Sequence, residues 1–373
     1  MNKKIKLYLS GFQKIFGDPG NVIFVGAFSK EVFPFIEIIA DSSYKDVEIF
    51  SIDAEEIPAT IAAIPGHKHV FCITTDATFR SPDPSSLTDV KLGVLPLFST
   101  GYSFEKLRKS LELIFQADYK AQNEKSQQVL ELLENADEIM LKSNSSIIAR
   151  LDLLYPNRVY FFNQSGYMDW GQQSVLPGGE VSLLTDSHGQ YSAESKFSFN
   201  GYLDLKGIPV VHYGTCPCSI ARYCSRFKKS DSNKKTISQN NQLSSIREKQ
   251  TSIFLRLSDL YYNPVRIKID SGVITDLAPV GKKSEAFFQL LELFEEDGNY
   301  KKIHEFGIGL NNNYVLLPND NFLPNEMIEG IHLGLGLTPF TEFHIDLVCP
   351  YIEVYTVNGN IKNNLLKPST EQV

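Results

Sequence analysis

Two glycine-flanked segments and one mixed segment in the last quarter of the chain carry histidines and carboxylates. They are Glu305-Phe306-Gly307-Ile308-Gly309, His332-Leu333-Gly334-Leu335-Gly336 and His344-Ile345-Asp346. In a strand, successive side chains point to opposite faces. Glu305 then shares a face with Gly307 and Gly309, and His332 with Gly334 and Gly336. His344 and Asp346 point the same way, with Phe343, Ile345 and Leu347 behind them. An apolar strand does not bury an imidazole and a carboxylate unless each has a partner. Glycine weakens a strand, so its repetition here points to crowding by an ion or ligand. Tight packing of one sheet on another is the plainer explanation. Upstream, Leu176-Pro177-Gly178-Gly179-Glu180-Val181 carries two glycines that let the backbone turn sharply and expose Glu180.

Imidazole and carboxylate donors suit zinc, manganese, cobalt or iron(II). The candidate ligand set is Glu180, Glu305, His332, His344 and Asp346. Five donors with three carboxylates exceed what one zinc ion needs. They fit a pair of ions roughly 3.5–4 Å apart, bridged by one carboxylate. Such a pair polarises a carbonyl and lowers the pKa of a bound water, which is the chemistry of amide hydrolysis.

The elements that must carry these residues follow from periodicity. Residues 1–134 alternate strands and helices, as an α/β layer domain does. Asn21–Gly26, Val47–Ile52 and His69–Thr74 read as buried strands. A helix beginning near Ser103 lines up Phe104, Leu107, Leu111 and Phe115, and another covers about 122–134. Gly17-Asp18-Pro19-Gly20 is a turn and not a phosphate-binding loop. From 135 to 373 short β patterns dominate: Arg158–Phe162, Gly207–Val211 and Val265–Ile269. Asp270-Ser271-Gly272 and Val357-Asn358-Gly359-Asn360 are hairpin turns. One helix interrupts them, capped by Ser284, striped by Phe287, Leu290, Leu291 and Phe294, and followed by Gly298. The expected architecture is an α/β domain over 1–134, followed by an α+β metal-binding domain over 135–373 with a mainly antiparallel sheet. Residues 225–251 are rich in Ser, Asn, Gln and Lys and read as a solvated insertion, with a lid or docking segment as the sharper reading.

Bulk properties exclude several classes. The chain has 373 residues, 42% hydrophobic and 21% charged, as an ordinary globular protein does. A net charge of -8 gives no basic field for nucleic acid or an anionic membrane. Five cysteines in so long a chain argue against a disulfide scaffold and for a reducing compartment. The start, Met1–Leu9, lacks the apolar run of a signal peptide, and no stretch approaches the roughly 20 apolar residues of a membrane helix. A cytoplasmic protein is expected.

The ordered motifs resemble the aminopeptidase T (thermophilic aminopeptidase) family of metallopeptidases. They are Pro177–Val181, then Glu305–Asn311, then Glu329–Gly336, then His344–Asp346. The resemblance covers about 135–373, and more weakly the N-terminal domain. It implies a two-domain homodimer with two divalent ions (zinc, cobalt or manganese) that removes N-terminal residues from peptides. Glu180 and Glu305 match the family's glutamate ligands, and His332, His344 and Asp346 the later ones. Pro339 stands where the family has a tyrosine near the metals. The twelve residues from His332 to His344 are also fewer than usual. These departures fit a specialised relative acting on a peptide or a small, unusual amide. Other relatives resemble ring-cleaving dioxygenases with one iron(II), for which His332, His344 and Asp346 would serve. A non-catalytic binding protein that has kept its ligands is the third reading.

Lesser features have plain explanations. Cys216, Cys218 and Cys224 read as free thiols, with His212 the nearest fourth ligand should they bind metal. His67 and His69 read as loop residues or as a substrate contact. Cys349 and Trp170 read as packing residues, or as walls of the pocket. His304 points away from Glu305 and is not counted as a ligand. Asp204 and Lys206 read as solvent-side strand positions.

Overall fold

The computed structural model describes residues 4–17, 23–44, 46–53, 56–63, 65–75, 87–143, 146–154, 159–185, 195–214, 240–312, 314–337 and 340–366. Pro339, the turn at Asp18–Gly20, Cys216, Cys218, Cys224 and residues 225–239 lie outside them. The described residues fall into two compact units. One holds those of Met1–Glu124 and Gln164–Gly179, and the other those of Lys125–Asn163, Glu180–Tyr213 and Phe227–Val373. The first unit thus takes in Gln164–Gly179, which the sequence reading assigned to the second.

The first unit is a five-stranded parallel sheet. Its order is Gln172–Val175, Val90–Pro96, Lys68–Thr74, Ile23–Phe28, Val47–Ser51. Lys68–Thr74 is buried along its whole length, as a central parallel strand must be. The helix Phe104–Gln116 begins where expected, with Ser103 Oγ accepting from the Lys106 amide at 3.2 Å. Its buried Leu107 and Leu111 join Phe12 and Phe71 in the core, where the two phenylalanine rings meet edge-on at 5.4 Å.

The second unit holds two sheets. A six-stranded sheet runs Ile208–Tyr213, Phe343–Cys349, Gly330–Leu335, Ile303–Gly309, Glu180–Thr185, Val159–Gln164. A seven-stranded sheet includes the hairpins Val265–Asp270/Val273–Pro279 and Glu353–Asn358/Ile361–Leu366. Both turns anticipated from the sequence use left-handed residues, Ser271 and Gly272 in one and Gly359 in the other. Phe199 of the seven-stranded sheet meets Phe306 of the six-stranded sheet edge-on at 6.0 Å. The helix Glu285–Glu296 is capped by Ser284, which accepts from the Phe287 amide at 3.2 Å.

Residues 240–251 form most of the helix Asn240–Leu257, with Ser244, Ser245, Glu248 and Thr251 exposed and Gln250 turned inward. Gln250 is 2% exposed and donates to the Val211 carbonyl at 2.7 Å. Its polarity serves a buried strand edge and not solvent. No helix among the described residues is long and apolar enough to cross a membrane.

Candidate metal centre

The six-stranded sheet turns sequence spacing into a site. In an antiparallel sheet, residues directly opposite each other share a face. Glu180 is opposite Gly309, Ser182 opposite Gly307, and Gly307 opposite His332. Glu305 is opposite Gly334, Gly334 opposite Asp346, and His344 opposite His212. Glu180, Glu305, His332, His344 and Asp346 therefore stand on one face. The other face carries Val181, Phe306, Ile308, Ile331, Leu333, Ile345 and Leu347, each no more than 1% exposed. That apolar face anchors the sheet and leaves the polar face to its own partners.

The glycines make the room. A Cβ at Gly307 would lie 1.9 Å from His332 Nε2 and 2.0 Å from its Cε1, well inside contact distance. A Cβ at Gly334 would lie 2.6 Å from His344 Cε1, 2.7 Å from Glu305 Cβ and 3.1 Å from Asp346 Oδ1. Gly309 differs, because its Cβ would meet the backbone of Ile328 and Glu326. Crowding by ligands explains two of these glycines, and backbone packing the third. Gly336 ends the His332 strand with φ 64 and presents its carbonyl to His344 Nδ1 at 2.7 Å. A carbonyl only accepts, so Nδ1 always carries a proton and Nε2 is the nitrogen that can ligate once it gives up its own.

The five expected residues meet. His332 Nε2 lies 3.4 Å from Glu180 Oε1, and His344 Nε2 lies 3.3 Å from Glu305 Oε2 and 3.1 Å from Asp346 Oδ1. Glu180 opens its strand at 2% exposure, so the Gly178-Gly179 turn delivers it to a buried site and not to solvent. Ser182 Oγ donates to Glu180 Oε1. Among the described residues, three groups of side chains have ligand atoms within 4.8 Å of one another: Glu180, Glu305 and His332; Glu305, His344 and Asp346; and His212, Glu326 and Asp346. Glu305 is common to the first two groups and Asp346 to the last two.

Glu326 escaped the sequence reading, and His212 entered it only as a partner for the cysteines. His212 closes the strand Ile208–Tyr213, where alternation with Val210 was a usable signal. Glu326 lies in the 3-10 segment Leu323–Met327, which has no periodicity to mark it. His212 Nε2 is 3.0 Å from Asp346 Oδ2 and 3.1 Å from Glu326 Oε2.

Electrostatics set the protonation. Burial by itself would drive the His332 proton off, but the Glu180 carboxylate reverses this and lifts the pKa to about 10. Burial likewise disfavours charge on His344, and Asp346 overrides it to raise the pKa well above the ordinary value. At His212 burial is outweighed by Glu326 and Asp346, giving about 9. Burial raises Glu180, and raises Glu326 to about 7. Burial also acts to raise Asp346, but the facing imidazoles, His344 foremost, hold it well below the carboxylate range. Four buried carboxylates in one place need positive charge, which protonated imidazoles or metal cations can supply.

The residues fit a bound metal. Asp346 Oδ1 is buried and makes no hydrogen bond among the described residues, although His344 Nε2 is 3.1 Å away. The contact is an ion pair while His344 is protonated, and the same spacing suits two ligands of one ion once that proton leaves. The donor set is mixed N/O, which suits a divalent transition metal.

The other sequence candidates lie elsewhere. His69 is fully buried in its strand rather than in a loop, stacked between Phe16 at 4.8 Å and Trp170 at 5.3 Å. Trp170 packs there, with Lys91 Nζ over its ring. His67 is exposed and 3.4 Å from Asp89. Cys349 is opposite Ile331 on the apolar face, and burial pushes its thiol up to about 12. His304 is buried and stacks on Phe340 at 6.4 Å. Asp204 faces solvent and pairs with Arg266 at 2.6 Å.

No protein-family model matches this chain, and no curated protein sequence does. Among solved structures it is similar to 2,5-dihydroxypyridine dioxygenase from Pseudomonas putida KT2440. The TM-score is 0.51 and the identity 12%, over 90% of this chain and 88% of that one. It is also similar to AmpT from Thermus thermophilus, with a TM-score of 0.45 and 11% identity over 98% of each chain. The first similarity establishes a shared fold.

Proposed function

We propose that this chain is a metal-dependent hydrolase that uses paired divalent ions to cleave a peptide or related amide bond. The observation that carries the reading is the division of the ligands. Glu180, Glu305 and His332 form one group, Glu305, His344 and Asp346 another, and Glu305 belongs to both. A carboxylate common to two three-ligand groups is what a bridged pair requires. The ordered motifs shared with the aminopeptidase T family support the same reading.

Two such ions supply a water of lowered pKa and a Lewis acid for the substrate carbonyl. The chain's residues do the rest. The Gly336 carbonyl fixes His344 in one tautomer, Ser182 orients Glu180, and the apolar face holds the ligand strands rigid. Side-chain exposure is greatest at His212 and His344, 13% and 12%, against 2% at His332. Substrate approach is therefore expected over His344.

A second reading, a mononuclear iron(II) dioxygenase, is favoured by the fold shared with the dihydroxypyridine enzyme. It needs His332 and His344 on one ion with Asp346. Those two imidazoles fall in different groups, and His332 Nε2 is 3.9 Å from Asp346 Oδ1.

Elemental analysis and turnover separate the two. Near two equivalents of zinc, cobalt or manganese, with release of amine from aminoacyl anilides or short peptides, is the expected result. One equivalent of iron with oxygen uptake on a hydroxylated aromatic would replace the hydrolase reading. Absence of metal uptake would leave a binding protein.

A further inference from the structure

We infer that His212, backed by Glu326, is a positioning residue that aims Asp346 at the paired ions. The inference rests on the metal-dependent reading above and extends it to residues outside the ligand set. A carboxylate can turn about its Cβ–Cγ bond, so a ligand oxygen is directed only when its sister oxygen is held. His212 Nε2 stands 3.0 Å from Asp346 Oδ2. That contact occupies Oδ2 and leaves Oδ1 facing His344 Nε2 at 3.1 Å and His332 Nε2 at 3.9 Å. Glu326 Oε2 lies 3.1 Å from the same Nε2, so the Glu326 and Asp346 carboxylates converge on that one nitrogen. Partners of this kind outside the ligand shell fix orientation and tune affinity.

The strand under His212 is built to stay in place. Ile208–Tyr213 is an edge strand of its sheet. An edge leaves backbone groups unpaired. Here Asn321 satisfies Val211 on both counts, accepting from its amide at 2.9 Å and donating to its carbonyl at 2.9 Å. Gln250 donates to the same carbonyl at 2.7 Å. The backbone next to His212 is thus clamped by two side chains from different elements. Such bracing is excessive for a surface edge but appropriate for a group that must hold its place to a few tenths of an ångström.

Cobalt(II) is the probe. Metal-free wild type, His212→Phe, His212→Gln and Glu326→Leu are titrated by calorimetry while the visible absorption of bound cobalt is followed. Thermal midpoints of the metal-free proteins report on folding. H212F keeps the ring volume and loses the donor. It is expected to weaken cobalt binding about 10–100-fold and to alter the absorption bands, and to lower the metal-free midpoint as well, because Asp346 and Glu326 lose the imidazolium facing them. H212Q returns an N–H donor near the Nε2 position and is expected to restore affinity to within a few-fold. Glu326→Leu is expected to cost about 10-fold, and it carries the test should H212F not fold. Wild-type affinity and bands in H212F would overturn the inference and leave the paired-ion reading standing. A third equivalent of cobalt in wild type that disappears in H212F would also overturn it, in favour of an ion held by His212, Glu326 and Asp346. No cobalt uptake by wild type would remove both the reading and the inference.

Discussion

Gly307→Ala tests whether the glycines beside the ligands exist for the metal. The added methyl would lie 1.9 Å from His332 Nε2. The obstacle is a side chain, so the ring can swing aside, and in doing so it withdraws Nε2 from Glu180, now 3.4 Å away. Removing one donor from a three-ligand group is expected to weaken that ion at least as much as losing an outer partner, about 100-fold or 2.7 kcal/mol. The folding cost is smaller. A displaced rotamer costs about 0.5–1.5 kcal/mol, and alanine regains roughly 0.5–1 kcal/mol over glycine inside a strand. Gly309→Ala is the control. Its methyl would strike the Ile328 and Glu326 backbone, which cannot swing aside. Overpacking of that kind costs about 1–3 kcal/mol of stability. Cobalt titration and urea unfolding of the metal-free proteins should therefore rank the two variants in opposite order. Equal losses of affinity and stability in G307A would refute the reasoning, and so would unchanged cobalt binding.

Three further outcomes follow from the same geometry. Glu305→Gln removes the carboxylate common to two groups, so metal content should fall from near two equivalents to below one. A clean loss of one equivalent would show that Glu305 serves a single ion. His332 and His344 hold protons in the metal-free protein and must release them to bind, so affinity should fall as pH drops. Calorimetry in buffers of different ionisation enthalpy counts those protons, and zero release would contradict the raised values. In the first unit, burial holds His69 at about 3, against an ordinary value of 6.5. The unfolded chain therefore takes up this proton first. The stability from neutral His69 is complete above pH 6.5 and drains away as pH falls toward 3. His69→Phe keeps the stack on Trp170 and should flatten the urea midpoint across that window. An identical slope in variant and wild type would assign the acid sensitivity to other groups.

Much of the local structure is written in the sequence. Ser103 and Ser284 marked helix starts because a hydroxyl at that position caps an exposed amide. Ser271-Gly272 and Gly359 marked turns because left-handed backbone suits few residues. Glu305, His332, His344 and Asp346 could be selected because the period of a strand is fixed: it sets the first two on a face with glycines and the last two together on one face of an apolar strand. Composition did not mark Gln250, the residue of its polar stretch that caps a buried strand edge. His69 was legible as the start of a buried strand, but the aromatic stacking that holds it inside the core of its unit was not.

The sequence by itself determined which residue types share a strand face and where strands and helices begin. Only the tertiary structure decided which strands lie side by side. Register is a long-range property, set by pairing between segments far apart in the chain. It put Glu180 opposite Gly309 and Asp346 opposite Gly334. It also brought His212 and Glu326, which no local pattern linked to Asp346, within 3.1 Å of each other beside it. Alternation is dictated by the backbone of each residue, whereas convergence depends on the packing of the whole sheet.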